Sequence, residues 1–432
     1  VLTYAGAAMV LAPSPTQHRL TVALGFVGSA AIGASTFVPG GRVVFYVGVA
    51  AFVWAWLRLR TCDKRQILTA IGVWAVPLLV PLPILSQDVY IYLAQGAIAH
   101  AGLDPYTVGP SGLDSPLTDR VSWVWENTPS PYGPLFILLM KSIVAVVGPN
   151  VVVAAFVTKV VIASGLVLLC AALPGLARHL GGTPEQALWI GVANPLVLVH
   201  LTGGPHNDLL MVAFLAAGTL LVLDRRHVAG IAVVALAMSI KVTAGLVLPF
   251  LVWVWAARVK RWGFVTAAGA GALVTVVVFG LCTLAAGVDL GWLGALDGNA
   301  LLIHWLSIPT GIGELFGIIP VARIIGWGLL AGIVVLLWGR CRSGGPAAIS
   351  AAAWALLATV LLSSVTMPWY FTWPLVLAAG FALRPAIVAG ISVWLVLVNY
   401  PNGDTGLYNW WWVLLTAAAG VFVWWTVRRE YA

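Results

Sequence analysis

The run Ser86-Gln87-Asp88-Val89-Tyr90-Ile91-Tyr92 closes an apolar stretch, Ile67 to Leu85, which itself follows Asp63-Lys64-Arg65. A stretch of that length suffices for a helix to cross a bilayer. It begins on basic residues and ends on a lone acid. A carboxylate at a membrane face is costly unless it has water, a partner or a function. The stretch therefore reads as a crossing that delivers Asp88 to one face. Residues 86–133, which follow, are polar and rich in Trp and Pro, unlike nearly all the rest of the chain.

The remainder extends this reading. Of 432 residues, 61% are hydrophobic and 8% charged, a composition outside the range of soluble globular domains. Further apolar runs occupy 20–37, 42–57, 151–172, 185–202, 208–224, 228–241, 243–257, 263–288, 321–339, 347–365, 370–383, 386–400 and 409–427. With 66–85 they give about fourteen crossings. Residues 134–148 contain Lys141 and end at Gly148-Pro149; they read as a helix on or dipping into the interface, since a further crossing would invert every later loop. The expected fold is an all-α polytopic membrane protein, a single domain over 1–432, with amphipathic helices on one face. Residue 1 is Val, so a trimmed N-terminus is expected, and no cleavable signal sequence is read.

Charge orients the chain. Alternate loops hold Arg58, Arg60, Lys64, Arg65, Arg178, Arg225, Arg226, Arg258, Lys260, Arg261, Arg340, Arg342, Arg384, Arg428 and Arg429; with Arg19 these are 16 of the 22 Lys and Arg. Acidic residues divide the other way, with Asp63, Glu185, Asp224 and Glu430 alone on the basic side. The positive-inside pattern then puts both ends of the chain in the cytoplasm and Asp88 on the outer face of the plasma membrane. The net charge of +8 belongs to these short loops and implies no nucleic-acid partner. Cys62, Cys170, Cys282 and Cys341 are far apart, with no metal-ligand spacing and no expected disulfide.

Chemistry belongs to the outer loops. Asp88 would be an interfacial cap on the plainest reading, but prolines at 81 and 83 break the chain just before it. An ionised carboxylate there can take a proton from a sugar hydroxyl as a glycosyl bond forms. The turn Gly203-Gly204-Pro205-His206-Asn207-Asp208 places three polar side chains where one helix cap would suffice; His206 and Asn207 are candidates for phosphate or sugar, and Asp208 for the cavity wall. Lys241, against the positive-inside bias, is the candidate cation for a lipid phosphate, with Arg323 and Arg120 weaker ones. The second outer loop, 289–320, contributes His304 and Trp305 as wall candidates, beside Trp292, Asp297, Asn299 and Glu314. Trp369-Tyr370 after Pro368 and Tyr132 before Gly133-Pro134 are aromatic breaks suited to sugar or prenyl contacts, and Tyr90, Tyr92, Asp104 and Tyr106 complete the candidate wall. There is no Walker loop, GxGxxG, HExxH or Asp-x-Asp pair. A nucleotide-sugar enzyme is thus disfavoured, and no metal or other cofactor is expected.

Several of these stretches occur together in a known family. Residues 86–96, Gly102 to Tyr106, Pro131 to Pro134, Asn194 to His200 running into Gly204 to Asp208, and Trp369-Tyr370 resemble the actinobacterial polyprenol-phosphate-mannose-dependent α-1,6-mannosyltransferases of lipomannan and lipoarabinomannan. The likeness runs from residue 20 to 427 and is closer to the elongating enzyme than to the initiating one. It implies the GT-C fold, metal-independent catalysis, Asp88 as the catalytic carboxylate, and a β-linked polyprenyl-phosphate-mannose donor. It also implies an α-1,6-mannan glycolipid acceptor, inversion at the transferred sugar, and lipid phosphate as leaving group. An arabinofuranosyltransferase of the same architecture and a lipid-linked-sugar flippase are the alternative readings. Against the flippase stands the crowding of polar residues at one face, with no second half mirroring the first.

Overall fold

The structure is a computed structural model describing residues 14–80, 83–259, 262–295 and 303–429. Pro81, Lys260, Arg261, Asp297, Asn299 and Glu430 lie outside the described residues. Those described are helical, apart from loops and a single antiparallel bridge between Asn399 and Thr405.

The helices are α1 (Pro15–Ala34), α2 (Gly41–Leu59), α3 (Lys64–Leu79), α4 (Asp88–His100), α5 (Pro134–Val147), α6 (Val151–Leu180), α7 (Pro184–Gly191), α8 (Asp208–Leu223) and α9 (His227–Met238). There follow α10 (Leu248–Ala256), α11 (Gly263–Ala286), α12 (Trp292–Ala295), α13 (Ile308–Leu315), α14 (Ile319–Arg340), α15 (Gly345–Leu362), α16 (Thr372–Ala378), α17 (Pro385–Leu397) and α18 (Trp410–Arg429). Six of them, α2, α6, α11, α14, α15 and α18, are long and apolar enough to cross a membrane. Helix α7 and the π-helical turn Leu196–Gly203 make a seventh if taken as one crossing bent by 48°. The chain is thus a multispanning membrane protein. Of the fourteen apolar runs expected, the rest are helices of 7 to 20 residues that do not meet this standard by length and composition.

Local sequence explains the helix limits. Asp63 caps α3 through the Gln66 N–H, and Gln66 returns a bond to the Asp63 N–H. Helix α3 stops at Leu79, short of the expected 85, and Pro83 to Gln87 run on without helix. There the Ile84 N–H donates to Gly203 O (3.2 Å) and the Leu85 N–H to Pro401 O (3.0 Å). Helix α6 instead continues through Pro174 to Leu180, eight residues past the expected end, and closes on left-handed Gly181.

Small residues set the closest helix contacts. A Cβ on Gly218 would stand 2.7 Å from Gly230 O, and one on Gly390 2.8 Å from Gly420 O, so α8 with α9 and α17 with α18 pack backbone to backbone. At the basic end His179 pairs with Asp224 (2.7 Å), Arg258 donates to Val222 O and Leu223 O, and Gln186 donates to Leu383 O. The acidic end is tied in the same way: the Gly133 N–H donates to Ile240 O (3.0 Å) and the Leu135 N–H to Ser239 O (2.8 Å). Loops that charge places in the same set are therefore bonded to one another in space.

Candidate active site

Asp88 opens α4 from the segment threaded between Gly203 and Pro401. Its own N–H donates to Ser86 Oγ (3.0 Å). Its Oδ2 lies 3.0 Å from His206 Nδ1 and 3.4 Å from the Tyr92 hydroxyl. The Tyr92 oxygen in turn accepts the Asn207 N–H (3.4 Å). His206 is fully buried, and its ring stacks on Trp369 with centroids 3.6 Å apart and planes 17° from parallel. The Asp88 side chain keeps 27% of its surface exposed, enough to meet a substrate.

Beside this pair sits a second one. Lys241 Nζ lies 2.8 and 3.1 Å from the two oxygens of buried Asp208. Trp373 Nε1 donates to Asp208 Oδ1 (2.5 Å), and the ammonium stands 4.3 Å from the Tyr370 ring centroid and 4.9 Å from that of Trp373. Tyr370 and Trp373 stack at 4.2 Å. Lys241 is thus a neutralised cation in an aromatic box. Any service to a phosphate would come from that pair.

The electrostatics follow from these contacts. Burial pushes the Asp88 carboxyl up, but the His206 bond and charge, the Ser86 bond and the Lys241 charge outweigh it, and the net shift is below the ordinary value. Burial opposes the charge on Lys241, yet Asp208 more than compensates and its pKa is raised. Burial holds the Tyr92 and Tyr132 hydroxyls protonated, far above their usual range. His304, pushed down to about 4 by burial, is neutral at physiological pH.

Next to these groups lies a cavity of about 460 Å³. Asp88, Tyr132, His304, Trp369, Tyr370 and the loop Asn399 to Thr405 contribute to its wall. Three outer segments read from the sequence and the loop Asn399 to Thr405 thereby converge on one space. Polar groups and aromatic faces share the wall, the pattern that suits a pyranose, which offers hydroxyls at its rim and C–H groups on its faces.

Not every candidate reaches it. His206, Asn207, Asp208, Tyr92 and Lys241 stand behind the wall. Tyr90 is buried away from the cavity, with the Arg120 guanidinium 6.0 Å over its ring. Asp104 accepts the Tyr106 N–H (3.0 Å), and Tyr106 packs with Ile137, Phe279 and Trp292 in a separate cluster. Trp305 donates to Glu314, and Arg323 Nε donates to Thr310 Oγ1 (2.9 Å). None of Tyr90, Asp104, Tyr106, Trp305 and Arg323 lines the cavity. Conversely, Trp373, Trp125, Asn399 and Asn402 went unassigned by sequence reasoning. Trp373 had a signal: with Trp369 and Tyr370 it stands at i, i+4 and i, i+3, one face of a helical turn.

The family model described as α-(1→6)-mannopyranosyltransferase, N-terminal domain, matches residues 2–257, and that of the MptB C-terminal domain matches residues 299–429. The chain is 39% identical over 421 residues to α-(1→6)-mannopyranosyltransferase A of Mycobacterium tuberculosis, covering 90% of this chain and 81% of the relative. It is 32% identical over 431 residues to the Corynebacterium glutamicum protein of the same name, covering 89% and 87%. The C. glutamicum α-(1→6)-mannopyranosyltransferase B is 27% identical over 496 residues, covering 96% and 81%. No solved structure matches. With both halves of the chain matched and the likeness extending over most of each relative, the chain belongs to the actinobacterial α-(1→6)-mannopyranosyltransferase family and is a glycosyltransferase.

Proposed function

We propose that this enzyme transfers mannose from a polyprenyl-phosphate-mannose donor to a growing α-1,6-mannan of lipomannan or lipoarabinomannan. Transfer occurs at the outer face of the plasma membrane, in a GT-C architecture, with inversion. Asp88 takes the proton of the acceptor hydroxyl. As that O–H bond breaks, the oxygen bonds to C1 of the mannose, the C1–O bond to phosphate breaks, and its electron pair leaves with the lipid phosphate. A single displacement needs one base and no protein nucleophile. No metal is required.

The observation that carries this reading is Asp88, bonded to His206 at the wall of a cavity of polar and aromatic side chains. A lipid-borne donor is favoured by a second feature. An apolar groove of about 750 Å³ runs among α9, α10, α11 and α14, and its lining includes Met238, Val242 and Thr243, on either side of Lys241 in the chain. A prenyl tail would lie there in an environment as apolar as the bilayer. The Lys241–Asp208 pair would sit near the phosphate, where a cation stabilises the charge developing on the leaving group.

The test is donor choice by the purified enzyme. Polyprenyl-phosphomannose should support formation of an α-linked product with a mannoside acceptor, and GDP-mannose and polyprenyl-phosphoarabinose should not. Equal use of the nucleotide sugar, or a β-linked product, would contradict the proposal.

A further inference from the structure

We infer that the hairpin Asn399 to Thr405 forms the acceptor subsite, with Asn402 and Asp404 binding hydroxyls of the terminal pyranose of the acceptor. This rests on the reading of Asp88 as the base.

The hairpin is a built element. Its ends pair through the Asn399–Thr405 bridge. The Tyr400 N–H donates to Asp404 O (2.8 Å), and the Gly403 N–H to Tyr400 O (2.9 Å). Gly403 has φ +97°, a left-handed value that glycine tolerates and other residues rarely adopt. At the tip, Asn402 Nδ2 donates to Asp404 Oδ2 (2.6 Å). This joins a carboxylate and an amide on two exposed residues that both line the cavity. Such a pair still offers acceptors on both side chains and suits neighbouring hydroxyls, which donate and accept together.

The hairpin is also fixed relative to Asp88. Pro401 O accepts the Leu85 N–H (3.0 Å). A Cβ on Gly403 would fall 3.0 Å from Leu85 O and 3.4 Å from Ser86 Cα. Ser86 Oγ accepts the N–H of Asp88. Base and hairpin are therefore held together by one backbone hydrogen bond, the close approach of Gly403 to Leu85 and Ser86, and the Ser86 side chain on the Asp88 N–H.

Substrate chemistry decides which sugar this unit holds. The base must touch the acceptor hydroxyl, because the donor sugar has no proton to surrender at C1–O. The donor carries a lipid and a phosphate, which match the groove and the Lys241–Asp208 pair. The cavity and the groove share no lining residue, so the polar hairpin is separate from the apolar channel. On its other flank the Tyr408 hydroxyl donates to Ile303 O (2.7 Å), which ties the segment after the hairpin to the stretch carrying His304. An uncharged, hydroxyl-rich chain end fits this rim, whereas a phosphate would meet the Asp404 carboxylate.

Initial rates test the assignment in the full-length protein, with polyprenyl-phosphomannose and a short α-1,6-linked manno-oligosaccharide varied separately. Asn402→Ala and Asp404→Ala should each raise the acceptor KM at least tenfold while the donor KM stays within twofold. Asp404→Asn, which preserves shape and one acceptor oxygen, should fall between. It carries the test if Asp404→Ala does not fold. An unchanged acceptor KM, or a rise confined to the donor KM, would overturn the subsite. Failure of the base reading is separable, because it would appear as undiminished turnover in Asp88→Asn whatever the hairpin variants do.

Discussion

His206 Nδ1 lies 3.0 Å from Asp88 Oδ2, across 118 positions of chain. An ionised carboxylate can only accept, so Nδ1 carries the proton and donates it to this bond. Stacking on Trp369 fixes the plane of the ring. His206 thus orients the carboxylate and favours its charged form.

The acid side of the pH profile should show this. Asp88 is held below its ordinary value, so kcat/KM of the wild type should stay flat down to roughly pH 5, above the usual carboxylate range. Loss should occur as pH falls through the Asp88 pKa, since the protonated form is no base. His206→Ala removes the principal stabiliser and should move that limb to higher pH, with His206→Gln restoring part of the shift. An unmoved limb in His206→Ala would deny the coupling.

Asp208 and Lys241 should behave as a unit. Asp208→Asn leaves a mostly buried ammonium without its counter-charge and should lower stability by about 3 kcal/mol. Adding Lys241→Met should restore most of that loss while leaving transfer impaired. Unfolding of the purified variants would show both effects; additive losses in the double variant would contradict the pairing.

Gly204 tests the close approach between the segments that carry Asp88 and His206. A Cβ there would stand 2.6 Å from His200 O and 2.8 Å from Ile84 O, both of them backbone atoms. Gly204→Ala must push the His206 turn away from the Ile84 to Ser86 segment. A displacement near 1 Å should reduce kcat by about 10²-fold, measurable under saturating substrates. Wild-type kcat would show that the two segments need not touch.

Transfer should be indifferent to divalent ions. Exhaustive chelation followed by assay should leave the rate unchanged, and a rate restored by added Mg²⁺ or Mn²⁺ would contradict a metal-free displacement.

The sequence disclosed depth more readily than direction. Charge separated the loops into two sets, and the structure bonds loops within each set, as His179 with Asp224 and Gly133 with Ile240 show. Proline and glycine breaks marked the cavity segments because a chain that leaves a helix must satisfy its backbone elsewhere. Position around the bundle axis was hidden. Nothing in spacing pairs Lys241 with Asp208, or distinguishes Tyr132 on the wall from Tyr106 in its own cluster. Arg323 reads as a candidate phosphate-binding cation in sequence, but Thr310 of α13 meets it only through tertiary packing. The length of α6 was underestimated for a similar reason: Pro174 is accommodated within a long packed helix, where local preference alone would end it.

The most direct test of the central claim is transfer by purified Asp88→Asn with polyprenyl-phosphomannose and an α-mannoside acceptor, in protein whose unfolding matches wild type. The account predicts a fall in kcat of about 10³-fold or more, within what loss of a general base can remove, with both substrates still bound. Turnover near the wild-type rate would contradict it.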